Sequence, residues 1–152
     1  MSITLTERPF DPGALLSDFT RGRTETGAVA TFTGIARAEK GSTSILELEA
    51  YPGFTEAEIG RIAEQARVRF GLDDLMILHR VGQIAPGEPI VFVATGAGHR
   101  RAAFEACDFL MDYLKSKAPF WKKEHGPGGA RWIEPTDADH ADRARWEQET
   151  DR

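Results

Sequence analysis

A chain of 152 residues with 41% hydrophobic content has the size of one domain that can bury its own core without disulfide or metal staples. Its single Cys107 excludes an internal disulfide framework and fits a reducing, cytoplasmic setting, while the N-terminus MSITLTERPF has neither a basic leader region nor a long apolar run, and no stretch is long enough to span a bilayer. The net charge of −5 is concentrated in residues 134–152, where seven acids stand against three arginines, so the body is near neutral and lacks the broad basic face that nonspecific nucleic-acid binding requires.

In chain order, Ile3 and Leu5 among polar neighbours predict a short strand. Asp11-Pro12 reads as the N-cap and first position of a helix that buries Leu15, Leu16 and Phe19 and ends near Gly22. Residues 27–34, GAVATFTG, are small, β-branched and aromatic, hence a strand. Residues 35–44, IARAEKGSTS, read as an exposed, mobile loop carrying Arg37 and Lys40. Leu46, Leu48 and Ala50 alternate with Glu47 and Glu49, the period of a half-buried strand. After a Pro52-Gly53 turn, Thr55 and Glu58 have capping-box spacing, and Phe54 and Ile59 are placed to form a hydrophobic staple. Ile59, Ile62, Ala63, Ala66 and Phe70 then line one face of a helix closed by Gly71.

Residues 75–81 and 89–95 read as buried strands flanking an Ala85-Pro86-Gly87 turn. The glycines of GAGHRR lead into a long helix with Ala103, Ala106, Cys107, Leu110, Met111 and Leu114 on its apolar stripe. Residues 125–129 read as a flexible connector and 131–133 as a short last strand. Thr136 with Asp139 caps a terminal helix whose few apolar positions, Ala138, Ala141 and Trp146, predict an acidic tail over 134–152 that docks loosely. The alternation of elements predicts a single α/β domain over 1–152 with a mixed sheet, and leaves the strand order open.

Residues 112–124, DYLKSKAPFWKKE, carry the most chemistry. The helix should stop before Pro119, because the residue preceding proline is pushed out of the α region. Phe120 and Trp121 then anchor a lysine-rich turn that displays Lys122 and Lys123, an arrangement suited to an anionic ligand. A solvated basic helix end, favoured by the helix dipole, accounts for the same pattern. His99, Arg100 and Arg101 sit where a glycine turn meets a helix N-terminus, a setting that favours anions and that plain surface exposure explains as well. Cys107, on the apolar stripe, reads as a buried inert thiol, and His79, within a strand, as a satisfied side chain. No pair of histidines or carboxylates has metal-ligand spacing, and no GxSxG occurs.

The blocks TFTGIAR (31–37), EAYPGFTE (49–56), HRVGQIAPGE (79–88), GHRRAAFEA (98–106) and DYLKSKAPFWKKE (112–124) together resemble the large, catalytic subunit of molybdopterin synthase. The resemblance implies an α/β-hammerhead fold and a homodimer of large subunits within a heterotetramer, each accepting a small ubiquitin-like sulphur-carrier subunit. The carrier inserts a C-terminal Gly-Gly thiocarboxylate, and two sulphur atoms pass to cyclic pyranopterin monophosphate to form the dithiolene of molybdopterin, with no metal or organic cofactor. Position by position, the catalytic lysines correspond to Lys115 and Lys122, and the substrate and tail contacts to Ile35, Ala36, Arg37, His99, Arg100, Lys123 and Glu124. Lys123 and Arg100 are candidates for lowering the pKa of a reacting lysine. The rival reading is a non-catalytic module that docks a ubiquitin-like Gly-Gly tail or a small anion without chemistry.

Overall fold

The computed structural model describes residues 1–38, 44–126 and 128–150. The described elements are, in order, β1 (Ser2–Thr6), α1 (Pro12–Thr20), β2 (Ala28–Ile35), β3 (Ile45–Ala50), α2 (Phe54–Phe70), β4 (Asp74–Arg80), β5 (Gly82–Ile84), β6 (Pro89–Ala97), α3 (Arg100–Ser116), β7 (Phe120–Gly126), β8 (Gly129–Ile133) and α4 (Asp137–Thr150). They form a mixed α/β architecture with two four-stranded sheets, ordered β1-β4-β6-β2 and β5-β3-β7-β8. In the first sheet β1 and β4 run parallel and the other pairs antiparallel, whereas the second is antiparallel throughout. Among the described residues, no helix is long and apolar enough to cross a membrane.

The near-continuous apolar run of β6 follows from burial on both sides of the first sheet. Val91 and Val93 point into the main core with Ile59, Ile62, Ala106 and Leu110 of α2 and α3. Phe92 and Ala94 face the other way, against Phe19 of α1. Asp11 caps α1 by accepting a hydrogen bond from the Gly13 amide at 2.9 Å, but Leu16, expected inside, is 38% exposed. The second sheet has its own small core of Ala36, Leu48 and Ile84.

Several local expectations are corrected. Thr55 is not an N-cap: Gly53 holds that position, and the Thr55 hydroxyl is fully buried. It accepts from the Tyr51 amide at 2.9 Å and donates to the Pro119 carbonyl at 2.8 Å, while Glu58 pairs with Arg61 and Phe54 is exposed rather than stapled. The expected lysine-rich turn, with His125 and Gly126 of the expected connector, is instead strand β7, because its backbone groups pair with β3 on one side and β8 on the other, while Gly128 keeps a turn conformation and Gly129 opens β8. Trp121, expected as an anchor, is half exposed. Ala36, read within an exposed loop, is buried: its amide donates to the Glu88 carbonyl and its carbonyl accepts from the Gly87 amide. Ile35 ends β2, Arg37 and Ala38 are exposed as expected, and residues 39–43 of that loop lie outside the described residues.

Thr136 and Asp139 do form a reciprocal cap at 3.1 and 2.9 Å, and α4 packs more closely than its few apolar positions predict. Trp146 is 5% exposed within the main core, edge-on to Phe70 and Phe109, and its indole N–H donates to Asp112 at 2.6 Å. One large aromatic ring with a satisfied polar end, joined by the ion pairs of Arg145 with Asp108 and Asp112, holds the helix.

Candidate active site

The junction between α3 and β7 builds the site. After Ser116 the Lys117 and Ala118 amides both donate to the Tyr113 carbonyl, at 2.7 and 3.3 Å, and Pro119 ends any further helical pairing. The Phe120 amide donates to the Ala118 carbonyl at 2.9 Å, so the chain reverses within a few residues and enters β7 directly. Lys115 at the end of the helix and Lys122 near the start of the strand therefore line one cavity of about 90 Å³. Its other walls include Phe32, Met111, Leu114 and Phe120, together with the buried ring of His79. Gly34, also on the cavity wall, packs too tightly for a side chain, since a Cβ there would lie 2.8 Å from Val91 and 3.3 Å from Phe32.

Two cations share this apolar hollow, and Lys122 shows the effect. Burial pushes the Lys122 ammonium below the ordinary lysine pKa, the charge of Lys115 adds to the effect, and Asp139 partly offsets it. Lys115, not Lys123 or Arg100, is the neighbouring cation that lowers it. Asp139, at the start of α4, feels the same field: burial pushes its carboxyl up, but the Thr136 hydrogen bonds and the charges of Lys115 and Lys122 outweigh this and hold it below the usual carboxylate range. Burial also brings His79 down to about 4, opposed by its bond to the Arg80 carbonyl and reinforced by Lys122 and Lys115, so its ring is neutral at ordinary pH. The cavity thus concentrates positive charge on the lysines alone and suits a small anionic group.

The other sequence candidates fall into three places. Ile35 lines the lysine cavity itself. Ala36, Arg37 and Glu124 line an adjoining cleft of about 170 Å³ that shares Leu46 and Ile90 with it. Lys123 lies on the opposite face of β7, because side chains alternate along a strand, and its ammonium sits 5.0 Å from the centre of the Trp132 ring. His99 and Arg100 line a separate surface hollow at the N-terminal end of α3 with Gly27 and Gly98. Arg100 and Lys115 are about 22 Å apart along that helix, too far to touch one small ligand within a single chain. Cys107 is buried, and burial first and then Asp108 push its thiol up to about 12, which makes it inert as a nucleophile. Among the described residues no group of three His, Cys, Asp or Glu side chains is placed to hold a metal ion.

Local motifs gave Thr55 and His79 other roles, a helix cap and a satisfied strand side chain, and did not place either at the site. Thr55 fixes the site from 64 residues away, by holding the Pro119 carbonyl at the turn between the two lysines. Replacing Thr55 with valine leaves that carbonyl and the Tyr51 amide unpaired in the interior. The expected cost is about 2 kcal/mol in denaturant unfolding, with a weaker anion site; unchanged stability would show that the hydroxyl does not brace the junction.

The profile of the MoaE protein family matches residues 5–117. The chain is 68% identical over 149 residues to the molybdopterin synthase catalytic subunit of Caulobacter vibrioides, covering 98% of this chain and 99% of that one. The solved molybdopterin biosynthesis MoaE protein of Burkholderia ambifaria superposes with a TM-score of 0.82 at 42% identity, covering 96% of this chain and 97% of that one. The crystal structure of molybdopterin synthase from Staphylococcus aureus gives a TM-score of 0.76 at 30% identity over 85% of this chain and 94% of that one. On fold, sequence and the extent of the match, the chain belongs to the MoaE protein family.

Proposed function

We propose that this chain is the catalytic subunit of a molybdopterin synthase, a sulphurtransferase that takes sulphur from the C-terminal Gly-Gly thiocarboxylate of a small ubiquitin-like carrier and delivers it to cyclic pyranopterin monophosphate. One observation carries the reading: in a member of this family, Lys115 and Lys122 share a small apolar cavity in which burial and mutual repulsion lower the Lys122 pKa. The thiocarboxylate, the oxyanion formed when it reacts and the pterin phosphate are all negative. Lys122 stabilises the developing charge or moves a proton, which a lowered pKa favours. Lys115 orients the reacting groups and keeps Lys122 poised. Ile35, Ala36, Arg37 and Glu124 hold the carrier tail or the pterin along the adjoining cleft, with the guanidinium of Arg37 offering a planar fork to phosphate. Lys123 contributes to the carrier-facing surface from the other side of β7. The buried, unpaired Cys107 fits work in the cytoplasm.

His99 and Arg100 enter this scheme through a second copy of the chain. Since Arg100 is about 22 Å from Lys115 along α3, both reach one pterin monophosphate only if the pair comes from the partner of a homodimer, itself the centre of a heterotetramer with two carriers. Mixing an Arg100→Ala chain with a Lys122→Ala chain tests this. Action across the dimer restores about a quarter of wild-type activity, because half the dimers are mixed and each carries one intact site. Action within one chain restores none.

The function itself is tested by incubating the folded protein with thiocarboxylated carrier and cyclic pyranopterin monophosphate. A dithiolene pterin, detected after oxidation, is expected. Carrier binding without product would return the chain to the class of non-catalytic tail-docking modules.

A further inference from the structure

A carrier tail ending in Gly-Gly brings more than an anion into the lysine cavity. Its last amide N–H lies two bonds from the thiocarboxylate carbon, so any pose that sets the thiocarboxylate between Lys115 and Lys122 carries that N–H inside as well. A buried amide donor without an acceptor is destabilising, because it gives up its hydrogen bond to water and gains none in return. The lysines are donors only and cannot satisfy it. Among the described residues lining the cavity, His79 is the only side chain with a strong acceptor; the remainder are apolar or cationic.

The His79 ring is prepared for that task. Nδ1 lies 2.8 Å from the Arg80 carbonyl, an acceptor, so Nδ1 carries the proton and Nε2 the lone pair. The ring stacks on Phe120 with centroids 4.3 Å apart and planes 24° apart, which fixes its orientation. It is 7% exposed, and no hydrogen bond is made by Nε2 among the described residues. The neutral state set by burial keeps the lone pair available. We propose that His79 Nε2 accepts a hydrogen bond from the terminal-glycine amide of the carrier tail, making His79 the residue that sets the depth and rotation of the thiocarboxylate between the two lysines. The proposal rests on the carrier reading above and adds a recognition element to it. It also gives a physical reason for a side-chain-free terminus: a cavity of about 90 Å³ bounded by Phe120, Leu114 and Met111 takes backbone atoms and little else.

The test is a cycle of two changes read by titration calorimetry. One is on the carrier, whose terminal glycine is replaced by N-methylglycine through peptide ligation; the other is His79→Phe, which keeps the stacked ring and removes the acceptor. N-methylation is expected to weaken binding to the wild-type chain about tenfold, and to the His79→Phe chain hardly at all. Equal losses in both chains would mean a steric effect of the methyl group and would overturn the proposal. A second readout needs no variant. The ¹⁵N resonance of His79 Nε2 in the wild-type chain should move on binding the Gly-Gly carrier and stay in place with the N-methylated one. The same movement with both carriers would also overturn the proposal. If the wild-type chain bound neither carrier, the functional reading itself would fall, an outcome distinct from binding without coupling to His79.

Discussion

Replacing Lys122 with methionine is expected to cut dithiolene formation by about 10²–10³-fold, the range seen when one preorganised donor to a developing oxyanion is removed, without lowering thermal stability. The two effects have one cause. Burial and the charge of Lys115 make the Lys122 ammonium less welcome in the folded chain than in the unfolded one. At neutral pH, where the unfolded lysine is fully charged, this difference is a penalty on the folded state. The penalty fades as pH rises through the lowered folded pKa toward the ordinary lysine value. Methionine fills similar space without a charge, so the variant should unfold at the same or a higher temperature near pH 7, and any gain should shrink in alkaline buffer. Thermal unfolding at two pH values alongside the product assay checks both halves. A variant that lost activity and several degrees of stability together would mean that Lys122 serves the fold.

The second large effect is structural and lies at the ion pair bonded to the segment that carries Arg37. Arg80 is 3% exposed, pairs with the Glu88 carboxylate and donates to the carbonyls of Glu7 and Gln83 at 3.3 and 3.2 Å. The backbone of Glu88 also accepts from the Ala36 amide at 2.9 Å, which sets the start of the segment that carries Arg37. Glu88→Ala leaves a buried guanidinium without its counter-charge. Losing one partner of a buried pair typically costs 3–5 kcal/mol, and because Glu88 is 38% exposed the lower end, about 3 kcal/mol, is expected. In a chain of this size that is a fall of roughly 10 °C in Tm. Arg80→Met combined with Glu88→Ala should recover much of the loss, since no stranded charge remains. Failure of the double variant to recover would mean that packing of the arginine stem, not charge pairing, is what matters there.

Features set by neighbours in the chain were legible from sequence. The Asp11-Pro12 helix start, the stop of α3 before Pro119 and the Thr136 and Asp139 cap are local stereochemistry, and each stands where the pattern put it. What failed was decided by partners far away in the chain. Thr55 and Glu58 have the right spacing for a capping box, yet the hydroxyl is taken by Tyr51 and Pro119. A lysine-rich run after a proline resembles a turn until β3 and β8 supply its hydrogen bonds. Once β7 is a strand, alternation sends Lys122 and Lys123 to opposite faces, a separation that reading them as a turn could not reveal. The convergence of Lys115 and Lys122 came from the family resemblance, since local pattern alone explained both as a basic helix end. His99 and Arg100 were placed with the lysines by the family resemblance, although the long helix read from the same sequence already sets them at its opposite end within one chain. Composition undervalued α4 because one large residue, Trp146, enters the main core, the Arg69 guanidinium donates to the Trp146 carbonyl at 3.2 Å, and Arg145 pairs with Asp108 and Asp112 of α3.

The measurement that bears most directly on the shared lysine cavity is a crystal structure of the chain bound to its carrier subunit. The carrier's terminal carboxyl carbon should lie between Lys115 and Lys122, with at least one of its oxygen or sulphur atoms within hydrogen-bond distance of the Lys122 Nζ. A tail that ended anywhere else, for instance in the groove between Arg61, Val68 and Tyr113 on the outer face of α2 and α3, would contradict the account.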